Sequence, residues 1–135
     1  MADFGLSKRL TDTTGYNTRA GTHLYMAPEL LNLLDSYNPS SDYTNSVDIW
    51  STGCIVYRLI TGVVPFPPGT SLMKYCEDES LFPYDALFNS CIKSEGAKFL
   101  RQLLAVHPST RLSATQALEH SWILSSRSQT LVKYK

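Results

Sequence analysis

The chain has 135 residues, 43% of them hydrophobic and 18% charged, a composition typical of one globular domain. Twelve basic and twelve acidic residues cancel, which disfavours nucleic acid and anionic membranes as partners. No apolar run is long enough to span a membrane, and no signal peptide is apparent. The scattered Cys54, Cys76 and Cys91 lack zinc-site spacing, and we interpret them as reduced thiols of an intracellular protein, with Cys54 in a core.

The first third of the chain is predicted to consist mostly of loops. Residues 7–20 are rich in small polar residues and have no apolar period, which indicates a loop. Pro28 suits the first turn of a short helix because its missing N–H is not needed there, and the leucines that follow supply an apolar face. We expect residues 35–46 to form an exposed connection, as in an insertion.

The clearest helix is predicted next. Asn45 suits its N-cap, Asp48 three residues later completes a capping box, and Gly62 suits its C-terminal stop. Apolar residues surround nearly the whole circumference between Val47 and Ile60. Such a helix is typical of the interior of a larger protein.

Three shorter elements and a tail follow. The pattern predicts helices over residues 70–76 and 94–104, and Pro108 then acts as a stop. Ser113 and Gln116 form a capping box that leads into another short helix. Residues 124–135 have no strong period, so we expect a frayed tail.

Three motifs occur in a fixed order. They are Asp3-Phe4-Gly5, GTHLYMAPE at residues 21–29, and DIWSTG at residues 48–53. Together they resemble the activation segment and C-terminal lobe of a Ser/Thr protein kinase, and the resemblance extends from Ala2 to about Ile123.

The resemblance implies a mainly α fold, a C-terminal-lobe fragment of the bilobal protein-kinase fold. A partial kinase domain would cover residues 1–123 and a tail residues 124–135. Within that domain, the D-F-G and activation segment would occupy residues 3–29, an insertion-like loop residues 35–46, and a helical lobe residues 45–123.

The implied reaction is phosphoryl transfer from ATP to Ser or Thr hydroxyls of protein substrates. Asp3 would bind the Mg²⁺ that bridges the ATP phosphates, while Phe4 and Gly5 would control the direction of Asp3. One carboxylate is not a metal site by itself, since Mg²⁺ takes its other ligands from phosphates and water. The alternative is an ordinary turn in which Phe4 is buried beside Gly5.

Other parts of the family's catalytic machinery do not occur in this sequence. It has no G-x-G-x-x-G loop, no Lys in a V-A-I-K context and no H-R-D, all of which precede D-F-G in the family. We therefore expect this chain alone to transfer no phosphate and to bind ATP weakly. Met1 is either a translation start or an ordinary interior residue that precedes Ala2. The rival interpretation is a non-catalytic, pseudokinase-like interaction module.

Two segments imply contacts with substrates and with an upstream activating kinase. Gly21 and Thr22 belong to the G-T-x-x-Y-x-A-P-E form that is typical of Ser/Thr-directed members. Thr18 matches the usual position of activating phosphorylation, where a phosphate pairs with an Arg cluster. The competing acceptors are Thr13, Thr14 and Tyr16.

A further set of residues implies structural roles. Glu29 and Arg111 resemble the buried ion pair that connects the A-P-E turn to the C-terminal helices. Asp48 has two interpretations, a carboxylate at a helix start or a contact to the catalytic-loop backbone. The other residues of this set are Ala27, Pro28, Trp50 and Gly53.

Arg58 departs from the family pattern. Basophilic members often have Glu at this position, where it binds a substrate Arg, so the charge is reversed here. Arg58 would then repel a substrate Arg and could accept an acidic or phosphorylated side chain. The alternative is that Arg58 lies over the helix surface and contacts no substrate.

Overall fold

The structure is a computed structural model that describes residues 22–35 and 43–133. The predicted loop over residues 7–20 lies outside these ranges, as do the predicted site residues Asp3, Phe4, Gly5, Thr18 and Gly21. In the described ranges the regular structure is helical, with no strand.

Six α-helices and three short 3-10 helices make up this described part. The α-helices are α1 (Tyr43–Thr61), α2 (Ser71–Glu77), α3 (Tyr84–Phe88), α4 (Ser94–Leu103), α5 (Ala114–Leu118) and α6 (Ser121–Lys133). The 3-10 helices are Pro28–Leu31, Glu79–Leu81 and Pro108–Thr110. The mainly α prediction is confirmed for these residues, and no described helix has the length and apolar character needed to cross a membrane.

Helix α1 begins earlier than predicted. Its first residue is Tyr43, so Asn45 lies inside the first turn, and the predicted capping box with Asp48 is wrong. The connection before it is correspondingly shorter than residues 35–46. Nothing between Tyr43 and Asn45 opposes helical backbone, because neither Gly nor Pro occurs there. The predicted stop is confirmed, since α1 ends at Thr61 and Gly62 has φ +80°, a backbone conformation that favours glycine.

Helix α1 is buried along one face only. Trp50, Cys54 and Tyr57 are at most 1% exposed, whereas Ile55 is 49% and Leu59 is 79% exposed. Part of the apolar surface of α1 is therefore not covered by any described residue. Gly53 lies where α4 approaches, because an added Cβ would be 2.9 Å from Cγ and Cδ2 of Leu104.

A chain of aromatic rings forms the centre of the core. The ring of Phe66 lies 5.7 Å from that of Trp50 and 4.9 Å from that of Tyr75, measured between centroids. The polar ends of two buried tyrosines are also satisfied: the hydroxyl of Tyr75 donates to the carbonyl of Leu104 at 2.8 Å, and that of Tyr57 donates to the carbonyl of Pro83 at 2.7 Å. The core therefore combines apolar burial with paired polar groups.

The C-terminal part holds one confirmed prediction and one that is wrong. Ser113 and Gln116 form the predicted capping box at the start of α5. The tail predicted over residues 124–135 is instead helical as far as Lys133, within α6. The ring of Trp122, near the start of α6, lies 5.3 Å from that of Phe99 in α4. This contact fixes the start of α6, and the helix continues from there through residues whose sequence pattern did not indicate one.

Candidate functional site

The segment that ends in A-P-E lies against α1. The N–H of Tyr25 donates to the carbonyl of Thr22 at 3.1 Å, which closes a turn. Ala27 and Pro28 are buried, and Pro28 begins a 3-10 helix, in agreement with the sequence prediction. Ser51 of α1 donates from Oγ to the carbonyl of Tyr25 at 2.8 Å. The Ser51 bond thus fixes the middle of the segment to α1.

Glu29 and Arg111 form a two-point ion pair in the interior. Nη1 of Arg111 donates to Oε1 of Glu29 at 2.8 Å, and Nη2 donates to Oε2 at 3.1 Å. Both side chains have no exposed area. The predicted contact between these two residues is present in the structure.

The guanidinium of Arg111 makes three more bonds, to backbone carbonyls. Nη1 donates to Ser46 at 2.7 Å, Nη2 to Val106 at 3.0 Å and Nε to Ala105 at 3.0 Å. An Arg side chain has five N–H donors, so every donor has an acceptor. The charge is buried but fully paired, which is the condition under which such a group is tolerated in a core.

Trp50 and Gly53 are both in α1, and Trp50 lies near this ion pair. The guanidinium carbon of Arg111 lies 5.1 Å from the ring centroid of Trp50. Gly53 lies one turn further along α1, at the contact with Leu104. The structure therefore brings Arg111 to the A-P-E turn, which is formed by the predicted structural residues Ala27, Pro28 and Glu29, and places Trp50 beside Arg111.

Asp48 is not part of this cluster by any described side-chain contact. Its side chain is exposed, and its backbone carbonyl accepts a bond of 2.8 Å from Oγ1 of Thr52. Because α1 begins at Tyr43, Asp48 is not a helix-start carboxylate, and only its second interpretation, a contact to a catalytic loop, stays a prediction.

Arg58 meets the segment through Tyr25. Its side chain is exposed, and Nη1 donates to the hydroxyl of Tyr25. Thr22, predicted to contact substrate, is also exposed. Sequence reasoning assigned no role to Tyr25 or Ser51. The seven-residue spacing of Ser51 and Arg58, two helical turns, was the available signal that both face the same side of α1.

An apolar groove of about 410 Å³ lies beside the same segment. Its lining includes His23, Leu24 and Met26 of the segment, together with Phe66, Leu72 and Met73. The neighbours of Tyr25 therefore line the groove, while the hydroxyl of Tyr25 contacts Arg58. The segment therefore lines the groove with apolar side chains and, through Tyr25, contacts a cationic group of α1.

The thiols of Cys54 and Cys76 are not candidates for catalysis. Burial raises the pKa of the Cys54 thiol from 9.0 to about 12, although the charge of Arg111 partly opposes this. Burial also raises the pKa of Cys76 to about 11. Both thiols stay protonated near neutral pH, and Cys54 is packed in the core as predicted. In residues 22–35 and 43–133, no His, Cys, Asp and Glu side chains form a group that could hold a metal ion.

The family model for the protein kinase domain matches residues 1–123. A probable myosin light chain kinase of Dictyostelium discoideum is 39% identical, over 92% of this chain and 39% of its own length. The Ser/Thr protein kinase cds1 of Schizosaccharomyces pombe is 35% identical, over 90% of this chain and 27% of its own length. The chain thus spans well under half the length of these relatives.

Solved structures of Rad53 resemble the described fold. A crystal structure of the Rad53 kinase domain and SCD2 has a TM-score of 0.61 at 34% identity, over 76% of this chain and 37% of that one. The complex of the same region of Rad53 with AMPPNP has a TM-score of 0.59 at 34% identity, over 75% and 38%. The helical lobe, the ordered motifs and these likenesses agree, and the chain belongs to the protein kinase family.

Proposed function

We propose that this chain supplies the activation segment and the substrate-binding lobe of a protein Ser/Thr kinase. The reaction is transfer of the γ-phosphoryl group of ATP to a Ser or Thr hydroxyl of a protein. The observation that carries the proposal is the Glu29–Arg111 pair, which fixes a segment of the Ser/Thr-directed form against the helical lobe. The Ser/Thr kinases among the relatives support the same chemistry.

The described residues position the substrate and do not themselves take part in the phosphoryl-transfer step. Catalysis of phosphoryl transfer depends largely on holding the acceptor in line with the phosphate and on neutralising charge. The exposed Thr22, the apolar groove and Arg58 offer surfaces along which a substrate could lie. Bound Mg-ATP would supply the phosphoryl group, with Asp3 as the metal ligand of this chain.

We also propose that Thr18 is the activating phosphorylation site, used by an upstream kinase. A phosphate adds nearly two negative charges and needs several cationic donors to fix its position. In the family these include the Arg of H-R-D, which this sequence lacks. Phosphorylated Thr18 should therefore order its segment only when the missing part of the domain is present.

The test compares the chain alone with a completed kinase domain. The completed form joins the region of the Dictyostelium relative that precedes D-F-G to residue 3 of this chain. With Mg-ATP and a protein substrate, we expect phosphate incorporation by the fusion and none above background by the chain alone. Asp3→Asn in the fusion should remove the incorporation while leaving the fold unchanged by circular dichroism.

The same experiment separates the rival function. A folded fusion that binds ATP and a protein partner but transfers no phosphate would support a non-catalytic interaction module. Turnover by the chain alone that Asp3→Ala abolishes would contradict the proposal that the catalytic residues lie outside this sequence.

A further inference from the structure

We propose that Arg58, oriented by Tyr25, is the subsite that binds an oxyanion-bearing side chain of the protein substrate, a carboxylate or a phosphate. The inference rests on the proposed function, because it names the substrate class of the same site. It concerns binding, so it can be tested without phosphoryl transfer.

Two arginines of this chain differ in how their donors are used. All five N–H donors of Arg111 have acceptors in the interior. Arg58 is exposed, and its guanidinium makes one bond to a described residue, to the hydroxyl of Tyr25. No carboxylate in residues 22–35 or 43–133 lies within ion-pair distance of Arg58. Its charge is thus not neutralised by the part of the chain that the structure describes.

The guanidinium is nonetheless held in place. Nη1 contacts Tyr25, whose carbonyl accepts from Ser51 at 2.8 Å and whose N–H donates to Thr22 at 3.1 Å. Ser51 and Arg58 are both in α1, two turns apart, so one rigid helix carries both contacts. A long side chain that is already oriented loses less conformational entropy when a ligand binds.

The chemistry of the exposed group selects the ligand. A guanidinium presents parallel N–H donors in a plane, which match the two oxygens of a carboxylate or a phosphate. A substrate Arg or Lys would be repelled at the same place. The phenol of Tyr25 can donate its own proton while it accepts from Arg58, which adds a second donor for an oxyanion. The site therefore favours acidic or phosphorylated substrates over basic ones.

Peptide binding to the full 135-residue chain tests this directly. Labelled peptides share a Ser acceptor and differ at one upstream position, which carries Glu, phosphoserine, Gln or Arg in turn. Binding is followed by fluorescence anisotropy and by the Nε–Hε resonance of Arg58 in ¹⁵N spectra, without ATP. We expect saturable shifts of this resonance with the Glu or phosphoserine peptide, and none with the Arg peptide. Inorganic phosphate alone, as a further arm, should bind more weakly than the phosphoserine peptide.

The variants decide between this subsite and a general charge effect. Arg58→Gln should weaken the phosphopeptide by about three- to tenfold, as expected for one exposed charge-assisted contact, and Arg58→Lys should recover part of the loss. Tyr25→Phe should weaken it less. Arg127→Gln, the control, removes an exposed cation of α6 and should have no effect.

Three results would overturn the inference. They are an Arg58 resonance that no anionic peptide shifts, an Arg127→Gln loss as large as that of Arg58→Gln, or tighter binding of the Arg peptide. Because ATP is absent, failure here leaves the phosphoryl-transfer proposal standing, and failure of transfer leaves this binding result standing.

Discussion

Glu29 and Arg111 are 82 positions apart in the sequence, yet their charged groups meet through two bonds of 2.8 and 3.1 Å. The pair connects the A-P-E turn to the residues that follow α4. Neither side chain is exposed, and the other Arg111 donors bind backbone carbonyls. The position of the candidate substrate segment therefore depends on a contact that water does not screen.

Glu29→Gln keeps the shape of the side chain but leaves the buried charge of Arg111 without its counter-charge. We expect the free energy of unfolding to fall by about 3 kcal/mol or more, since removing one partner of a buried pair typically costs 3–5 kcal/mol. Urea denaturation measures this change.

Two further variants show whether the stability lost in Glu29→Gln comes from the unpaired buried charge. Glu119→Gln removes an exposed carboxylate and should change the unfolding free energy by less than about 0.5 kcal/mol. The apolar pair Glu29→Leu with Arg111→Met should be more stable than Glu29→Gln. Equal effects of Glu29→Gln and Glu119→Gln would show that the ion pair does not hold the segment.

Gly53→Ala should destabilise the chain although alanine is the better helix former. The new Cβ would lie 2.9 Å from Cγ and Cδ2 of Leu104 and 3.1 Å from Cβ of Leu103. Overpacking costs about 1–3 kcal/mol, against a gain of about 1 kcal/mol in helix propensity. We expect a net loss of about 1 kcal/mol, measured by thermal and urea unfolding.

A double-mutant cycle identifies the cause. In a Leu104→Ala background the two contacts at 2.9 Å are removed and only the 3.1 Å contact with Cβ of Leu103 is left, so Gly53→Ala should there cost clearly less than in the parent chain. If Gly53→Ala stabilises the parent chain, α1 and α4 do not pack as closely as the structure shows.

The buried thiol of Cys54 should make stability fall at alkaline pH. Burial raises its pKa to about 12 from 9.0, so above pH 9 the unfolded chain loses a proton that the folded chain keeps. The unfolding free energy should be at its full value below pH 9 and should decrease as the pH rises from 9 toward 12. Cys76 and Tyr57, whose pKa values burial raises to about 11 and about 12, contribute in the same direction.

Substitution of single cysteines assigns this effect. Cys54→Ala should flatten the slope of unfolding free energy against pH between 9 and 11, whatever it does to stability at pH 7. Cys91→Ala is the control, because it removes an exposed thiol. An unchanged slope in Cys54→Ala would mean that this thiol is not desolvated in the folded chain.

The uncovered face of α1 should bind a dye that reports exposed apolar surface. Ile55 and Leu59 are 49% and 79% exposed. Leu59→Gln should lower the dye signal and change the unfolding free energy by less than about 0.5 kcal/mol, whereas Leu104→Ala in the core should cost about 2–5 kcal/mol. An unchanged dye signal in Leu59→Gln would place the bound dye elsewhere.

The sequence correctly predicted those elements that depend on residues close together in the chain. The glycine after α1, the helices near residues 70–76 and 94–104 and the capping box at Ser113 depend on residues close in the chain. The Glu29–Arg111 contact is non-local, and it was predicted from family motifs rather than from any period.

The wrong predictions have physical causes. Asn45 is a good N-cap residue, but adding two residues to the helix before it costs little, so α1 starts at Tyr43. Residues 124–133 have no period of their own, and their helix is continuous with the packed Trp122. The contact of Tyr25 with Arg58 joins residues 33 positions apart and carries no sequence signature.

The identity of the residue that the completed domain phosphorylates decides whether the enzyme is a Ser/Thr kinase. The fusion described above is incubated with Mg-ATP and an equal mixture of Ser, Thr and Tyr peptides, and the products are identified by mass spectrometry. We predict phosphate on Ser and Thr, none on Tyr, and none anywhere with Asp3→Asn. Phosphotyrosine as the main product, or incorporation that survives Asp3→Asn, would contradict the assignment of this chain to a Ser/Thr kinase.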